Sequence, residues 1–265
     1  MDDYVEKILE DSDKRHGGAA VTPANNNLFS IDPNSPLINI TDSQFFHTST
    51  AKLLFLAKRA RPDILTAVAF LTTRVKSPTK EDFDKLGRVI KYLRATPNLC
   101  LSLKAKPEEN KNVWRADGSH AVHPDMRGHT GGIFTMGKGA IYCTSTKQKI
   151  NTKSSTETEL VAADEVLTQA IWSRYFLLAQ GLPEFKIKLL QDNLSAMLLE
   201  KNGMTSSGKR TRHLGIRAFW ISDQVKQDIV TIEHESTEDM VADFFTKPLQ
   251  GAKFREFRKL ILNEE

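Results

Sequence analysis

The sequence predicts an α/β protein in which a mixed sheet is flanked by helices and preceded by a small helical subdomain. Three observations carry this. In the first third, apolar residues recur at helical spacing; further on, short glycine-punctuated runs with strand character alternate with helical ones. Between these textures lies a polar stretch from Lys104 to Asn112 that holds Pro107 and several charges. The chain of 265 residues also exceeds the roughly 100 to 200 residues of a usual domain, so two domains are expected, 1–105 and 106–265.

Residues 17–48, with two glycines, Pro23, Asn25 to Asn27, Pro33 and Pro36, read as an extended arm with little regular structure. From Ser49 the pattern turns helical, with Ile64, Val68, Leu71 and Val75 on one face. After a break at Ser77-Pro78, Phe83, Leu86, Ile90 and Leu93 share another, with Thr79 as its cap and Glu81 and Asp82 at the positive helix end. Strands are expected near 113–120, 130–136 and 139–145, with a tight hairpin at Met136-Gly137-Lys138-Gly139. A long helix from about Ser155 to Gln180 is closed by Gly181 and Pro183 and followed by a strand from Lys186 to Gln191. A helix, a strand and a last helical segment complete the chain, which gives a mixed sheet with helices on its faces.

Composition narrows the class. No apolar run approaches the roughly 20 residues that span a bilayer, so no membrane partner is expected. The mixed, acidic start lacks the features of a secretory signal, which points to an intracellular home. Cys100 and Cys143 can build neither a disulfide framework nor a thiolate metal site and are expected as small buried side chains. A net charge of +4 is too mild to identify a nucleic-acid partner. Its distribution says more: Lys147, Lys149 and Lys153 form one basic segment, and Lys209, Arg210, Arg212 and Arg217 another. Arg61, Lys76 and Lys80 could add grip, although each alone reads as an ordinary surface charge.

Four carboxylates stand where strands end or helices begin: Asp117, Glu159, Asp192 and Asp243. Singly, each reads as a turn former or cap. Together with their neighbours they form ordered motifs: Ala116-Asp117-Gly118-Ser119, Ser154-Ser155-Thr156-Glu157-Thr158-Glu159-Leu160, Asp192-Asn193-Leu194-Ser195-Ala196, Arg212-His213-Leu214-Gly215-Ile216-Arg217, and Ala242-Asp243-Phe244-Phe245-Thr246-Lys247-Pro248-Leu249. On these motifs residues 113–262 resemble the ribonuclease H domain of copia-type retrotransposon Pol polyproteins. Upstream, Arg59-Ala60-Arg61-Pro62-Asp63-Ile64, Ser77-Pro78-Thr79 and Tyr4-Val5-Glu6-Lys7-Ile8-Leu9 look like the end of the reverse transcriptase, its thumb and connection, in the same polyproteins.

The resemblance implies a ribonuclease H-like, five-stranded mixed sheet and an endoribonuclease that cuts the RNA strand of RNA/DNA hybrids. It implies that Asp117, Glu159, Asp192 and Asp243 are catalytic and hold two Mg2+ ions, with Mn2+ as the alternative. The chemistry agrees, since phosphodiester hydrolysis needs an activated water and a stabilised leaving oxyanion, which two metals provide. Hard cations take carboxylate oxygens, and four such groups without metal would repel one another. Ser119, Asn193, Lys147, Lys149, Arg212 and His213 are candidate substrate contacts, although Asn193 reads equally as a cap beside Asp192.

Glu157 and Glu159 point to different faces of a helix, so one of them faces the metals. Ser154 and Glu157 have capping-box spacing, which leaves Glu159, but Thr156 and Glu159 share that spacing and keep the other register open. His213 is expected to contact substrate or cap a helix rather than act as a base; His234, at a strand end, is no secure equivalent of the histidine found in cellular relatives. Aligned on the family, Asp2-Asp3 lacks the hairpin of a polymerase site, so no polymerase site is expected here. The polymerase portion of the same element is a candidate partner, in a cytoplasmic virus-like particle or the nucleus. Two other readings stay open: a non-catalytic hybrid-binding relic, and a nuclease or transposase of the same fold acting on duplex DNA.

Overall fold

The computed structural model describes residues 2–12, 15–105, 112–183, 186–203 and 214–264. Two compact units emerge, one of residues 1–103 with 247–265 and one of residues 104–246. The chain thus passes from the first unit to the second after Leu103 and returns to the first at Lys247.

The first unit is helical: α1 (Asp2–Ser12), α2 (Ile40–Arg59), α3 (Leu65–Thr72), α4 (Lys80–Ala95) and, from the far end of the chain, the helix Gly251–Leu262. That last helix joins this unit because its apolar stripe, Phe254, Phe257 and Ile261, is buried here, with Phe254 edge-on to Tyr92 at 5.8 Å. The start of α4 is set as expected: Thr79 and Asp82 form a capping box. The arm is shorter than expected, because Asn39 caps α2 by accepting from the Asp42 amide, so helix begins at Ile40. The helix expected to reach Val75 stops at Thr72. Cys100 is exposed rather than buried; Cys143 is buried.

Arg61 is a further correction. It is 1% exposed and forms two 2.9 Å hydrogen bonds with Asp63, while the Tyr92 hydroxyl donates to the same carboxylate at 2.7 Å. A buried guanidinium held in this fork offers no grip on a nucleic acid. Lys80 pairs with Asp84 at 3.0 Å on the exposed face of its helix.

The second unit is built on the expected mixed five-stranded sheet flanked by helices. Its strands, after the short β1 (Lys104–Ala105), are β2 (Asn112–Ser119), β3 (His129–Thr135), β5 (Tyr142–Lys147), β6 (Ile187–Gln191) and β7 (Val230–His234), in spatial order β5-β3-β2-β6-β7. The first three run antiparallel; β2 with β6 and β6 with β7 run parallel. Parallel neighbours need crossovers. These contain α5 (Ser155–Ala179) before β6, and α6 (Leu194–Asn202) and α7 (Gly215–Lys226) before β7. The turn between β3 and β5 is wider than the expected tight hairpin, because its Gly137-Lys138 pair, β4, ladders with β1 instead.

The core lies between the sheet and α5. Trp114 stacks on Phe134 with ring centroids 4.4 Å apart, and Leu160, Val161, Val166 and Leu167 of α5 join Ile187 and Leu189 in the same cluster. Trp114 is large and polar at one edge, and its indole N–H is satisfied by Asn112 Oδ1 at 2.7 Å. No helix of the described residues is long and apolar enough to cross a membrane.

Candidate active site

Three of the four expected carboxylates converge. Oxygens of Asp117, Glu159 and Asp192 all lie within 4.8 Å of one another. The backbone explains why. The last parallel pair between β2 and β6 is Arg115 with Leu190, so Asp117 on β2 and Asp192 just beyond β6 emerge side by side at the carboxyl ends of that pairing. Glu159 comes from the second turn of α5, whose start lies on β2 at Gly118. A Cβ at Gly118 would stand 2.7 Å from the Thr158 carbonyl oxygen, so only glycine lets the helix come this close.

The choice between the two glutamates is decided by the helix start. Ser154 caps α5 by accepting from the Glu157 amide at 3.3 Å, and Glu157 reaches back to accept from the Lys153 amide at 2.7 Å. That is capping with the acceptor's target shifted one residue outward, and it commits Glu157 to the helix end. Glu159 is left grouped with Asp117 and Asp192.

Asp243 departs from expectation. It lies not in the last helix but in a separate 3-10 turn, Val241–Phe245, where it is 8% exposed and stands outside the three-carboxylate group. This turn passes over β3 at Gly131, where a Cβ would meet the Ala242 carbonyl oxygen at 2.8 Å and the Thr246 methyl at 2.7 Å. That close approach lets the Thr246 hydroxyl donate to Asp117 Oδ2.

Hydroxyl donors hold the two aspartate carboxylates, and a buried side-chain oxygen holds the backbone beside Asp192. Thr237 donates to Asp192 Oδ2 at 3.0 Å, and Gln191, fully buried, accepts from the amides of Asp192 and Asn193 at 3.0 and 3.3 Å. Arg115 on β2 forms a bidentate pair with Glu235 at 2.6 and 2.8 Å, which occupies its guanidinium. Thr246, Thr237 and Gln191 were not singled out from sequence; Thr246 lies inside a quoted motif, and nothing in spacing marks the other two.

The expected substrate contacts divide. Asn193 is the cap of α6, accepting from the Ala196 amide at 3.0 Å, so the capping reading holds for its carbonyl oxygen. Lys147 forms an ion pair with Asp125 at 2.7 Å. Lys149 is exposed and Ser119 is buried beside Asp117 on β2. Arg217 pairs with Asp164. Arg212 and His213, with Lys209 and Arg210, lie outside the described residues. His234 is exposed at the end of β7.

No family model matches the chain. It is 27% identical over 266 residues to the retrovirus-related Pol polyprotein from transposon TNT 1-94 of Nicotiana tabacum, covering 97% of this chain and 20% of that one. Over 224 residues it is 31% identical to the retrovirus-related Pol polyprotein from transposon RE1 of Arabidopsis thaliana, covering 84% of this chain and 15% of that one. The chain thus spans 20% or less of the length of these relatives. Among solved structures it is similar to LC11-RNase H1, isolated from compost by a metagenomic approach, with 14% identity and a TM-score of 0.37 over 49% of this chain and 86% of that one. The strand order, not this overlap, carries the fold assignment.

Proposed function

We propose, for a chain whose homologues over most of its length are retrotransposon Pol polyproteins, that the sheet unit is a copia-type ribonuclease H that hydrolyses the RNA strand of RNA/DNA hybrids. The observation that carries this reading is the convergence of Asp117, Glu159 and Asp192 oxygens within 4.8 Å at one end of the sheet.

The donor set fits the expected ions. Three carboxylates offer only hard, anionic oxygen, which suits Mg2+ or Mn2+ rather than thiolate-seeking metals. In this reading Asp117, Glu159 and Asp192 hold the metals with Asp243 as a fourth ligand from the neighbouring turn. Two such ions, when bound, supply a nucleophilic water at neutral pH and stabilise the leaving oxyanion. The chain supplies placement: Asp117 and Glu159 are buried on β2 and α5, and the Thr246 and Thr237 hydroxyls orient the two aspartates. Ser119, Lys149 and the amide group of Asn193 border this end and are assigned to the hybrid, as are Lys147 by its basic segment and Arg212 and His213 by motif. Recognition by shape and phosphates, not by base edges, is the expected mode. Asp2 and Asp3 open helix α1, so polymerisation is assigned to another portion of the element, in a cytoplasmic particle or the nucleus.

The test is cleavage of a labelled hybrid with Mg2+, repeated after chelation, beside duplex DNA and duplex RNA. RNA-strand products from the hybrid alone, abolished by chelation, support the reading; cleavage of duplex DNA points instead to a DNA nuclease of the same fold. One observation favours a second reading, hybrid binding without catalysis: Asp243 stands outside the three-carboxylate group. Retention of hybrid with no cleavage in either metal would select it.

A further inference from the structure

Behind the carboxylates, three buried side chains form a line that the proposed chemistry does not use. His123 Nε2 lies 3.0 Å from His129 Nδ1, His129 Nε2 lies 2.7 Å from Ser145 Oγ, and Ser145 donates at 2.7 Å to the Phe245 carbonyl oxygen. All three are almost wholly buried, at 3%, 0% and 3% exposure.

Serine, imidazole and a second polar group in this order have the spacing of a nucleophile and its base. The protons rule that role out. In a catalytic triad the serine hydroxyl gives its proton to the imidazole. Here the line ends on a carbonyl, which can only accept, so the single Ser145 proton points away from His129. Ser145 must then accept from His129 Nε2–H, and the neutral ring has its lone pair on Nδ1, which accepts from His123 Nε2–H. Every proton is assigned once the carbonyl is in place. Burial lowers the pKa of His123 to about 4, with Lys147 adding and Asp125 opposing, and that of His129 to about 3, so both rings are neutral as this line requires.

The carbonyl at the end of the line belongs to the turn of Asp243. Phe245 is followed by Thr246, whose hydroxyl donates to Asp117. Gripping the Phe245 carbonyl fixes the peptide on which the Thr246 side chain is carried. The same strip of β3 and β5 supplies the room, since Ser145 pairs in register with Gly131, over which the turn passes.

We propose that His123, His129 and Ser145 are positioning residues, a directed hydrogen-bond line that anchors the turn carrying Asp243 and Thr246 and thereby sets the carboxylate site for metal. The proposal rests on the reading of those carboxylates as metal ligands.

The experiment uses the full chain and three variants, Ser145→Ala, His129→Leu and His129→Gln. Glutamine can donate and accept through one amide and is the conservative replacement. Three readouts are taken: hydrogen exchange of the Asp243 and Thr246 amides without metal, Mn2+ affinity by calorimetry, and the tautomers of the two rings by nitrogen NMR of the unmodified protein. The proposal expects Nε2–H on both rings, at least tenfold faster exchange in Ser145→Ala and His129→Leu, at least tenfold weaker Mn2+ binding in both, and substantial recovery in His129→Gln. Unchanged exchange and Mn2+ affinity in Ser145→Ala, or a proton on His129 Nδ1, would overturn it. Should Ser145→Ala and His129→Leu fail to fold, the tautomers and His129→Gln decide. A protein that binds Mn2+ but leaves hybrids intact refutes the nuclease reading and leaves the line to be judged by its own readouts. A protein that binds no Mn2+ overturns both.

Discussion

The Thr246 hydroxyl donates to Asp117 Oδ2 across 129 residues of sequence. This bond ties the turn of Asp243 to the central strand, and it orients a carboxylate without adding charge. Thr246→Val keeps the shape and removes the donor. We expect hybrid cleavage at limiting Mg2+ to fall by about tenfold, equivalent to roughly 1.4 kcal/mol, with partial recovery at high Mg2+. A Mg2+ titration of initial rates checks this; an unchanged midpoint would remove Thr246 from the site.

Glu157 and Glu159 differ by two positions and are expected to differ sharply in effect. Glu159→Gln should lower single-turnover cleavage by at least about a hundredfold, roughly 2.7 kcal/mol of transition-state stabilisation, with little loss of fold stability. Glu157→Gln keeps an acceptor for the Lys153 amide and loses only the charge at the helix start, about 0.3 to 1 kcal/mol. Cleavage by Glu157→Gln should stay within a few-fold. The reverse pattern would refute the register of α5, and activity in both would refute the carboxylate mechanism.

Stability should fall as pH drops below neutral. Burial holds His123 and His129 neutral by lowering their pKa values to about 4 and about 3, whereas the unfolded rings titrate near the ordinary imidazole value of 6.5. Between those values the unfolded chain binds protons that the folded chain refuses, so stability is full above the unfolded value and declines below it. Each ring should contribute about 1 to 2 kcal/mol of decline between roughly pH 7 and pH 5. Urea unfolding of the protein and of His129→Gln at both pH values measures it; equal slopes in the two proteins would refute the assignment.

Glu200 should act in the opposite sense. It is fully buried on α6, and burial raises its pKa from 4.5 to about 8. Through that window the unfolded chain loses a proton that the folded chain keeps, so stability declines as pH rises. Glu200→Gln keeps the shape and cannot ionise. It should be more stable than the parent at about pH 8 by on the order of 2 to 4 kcal/mol and nearly equal to it at about pH 5. Calorimetric melting at the two pH values tests this, and a difference independent of pH would count against a neutral buried Glu200.

Much was legible in sequence because it is local. The strand and helix periods, the capping of α4 and α5, and the motifs around Asp117, Glu159 and Asp192 depend on residues a few positions apart, and the backbone obeys those short-range preferences directly. The glutamate register could be argued from one helix start for the same reason. The arm reads as irregular through residue 48, but a single cap at Asn39 starts a helix there amid weak periodicity.

What only the tertiary structure decided is where long-range partners meet. The helix Gly251–Leu262 shows an apolar stripe in sequence, but not which unit buries it. Asp243 reads as a helix-start carboxylate; its place in a separate turn depends on Gly131 lying beneath that turn and on Thr246 finding Asp117. Arg61 reads as a surface cation until Asp63 and Tyr92 are seen to enclose it. Hydrogen bonds and close contacts at these separations are fixed by how the sheet and helices pack, a many-body outcome that no pattern of neighbouring residues encodes.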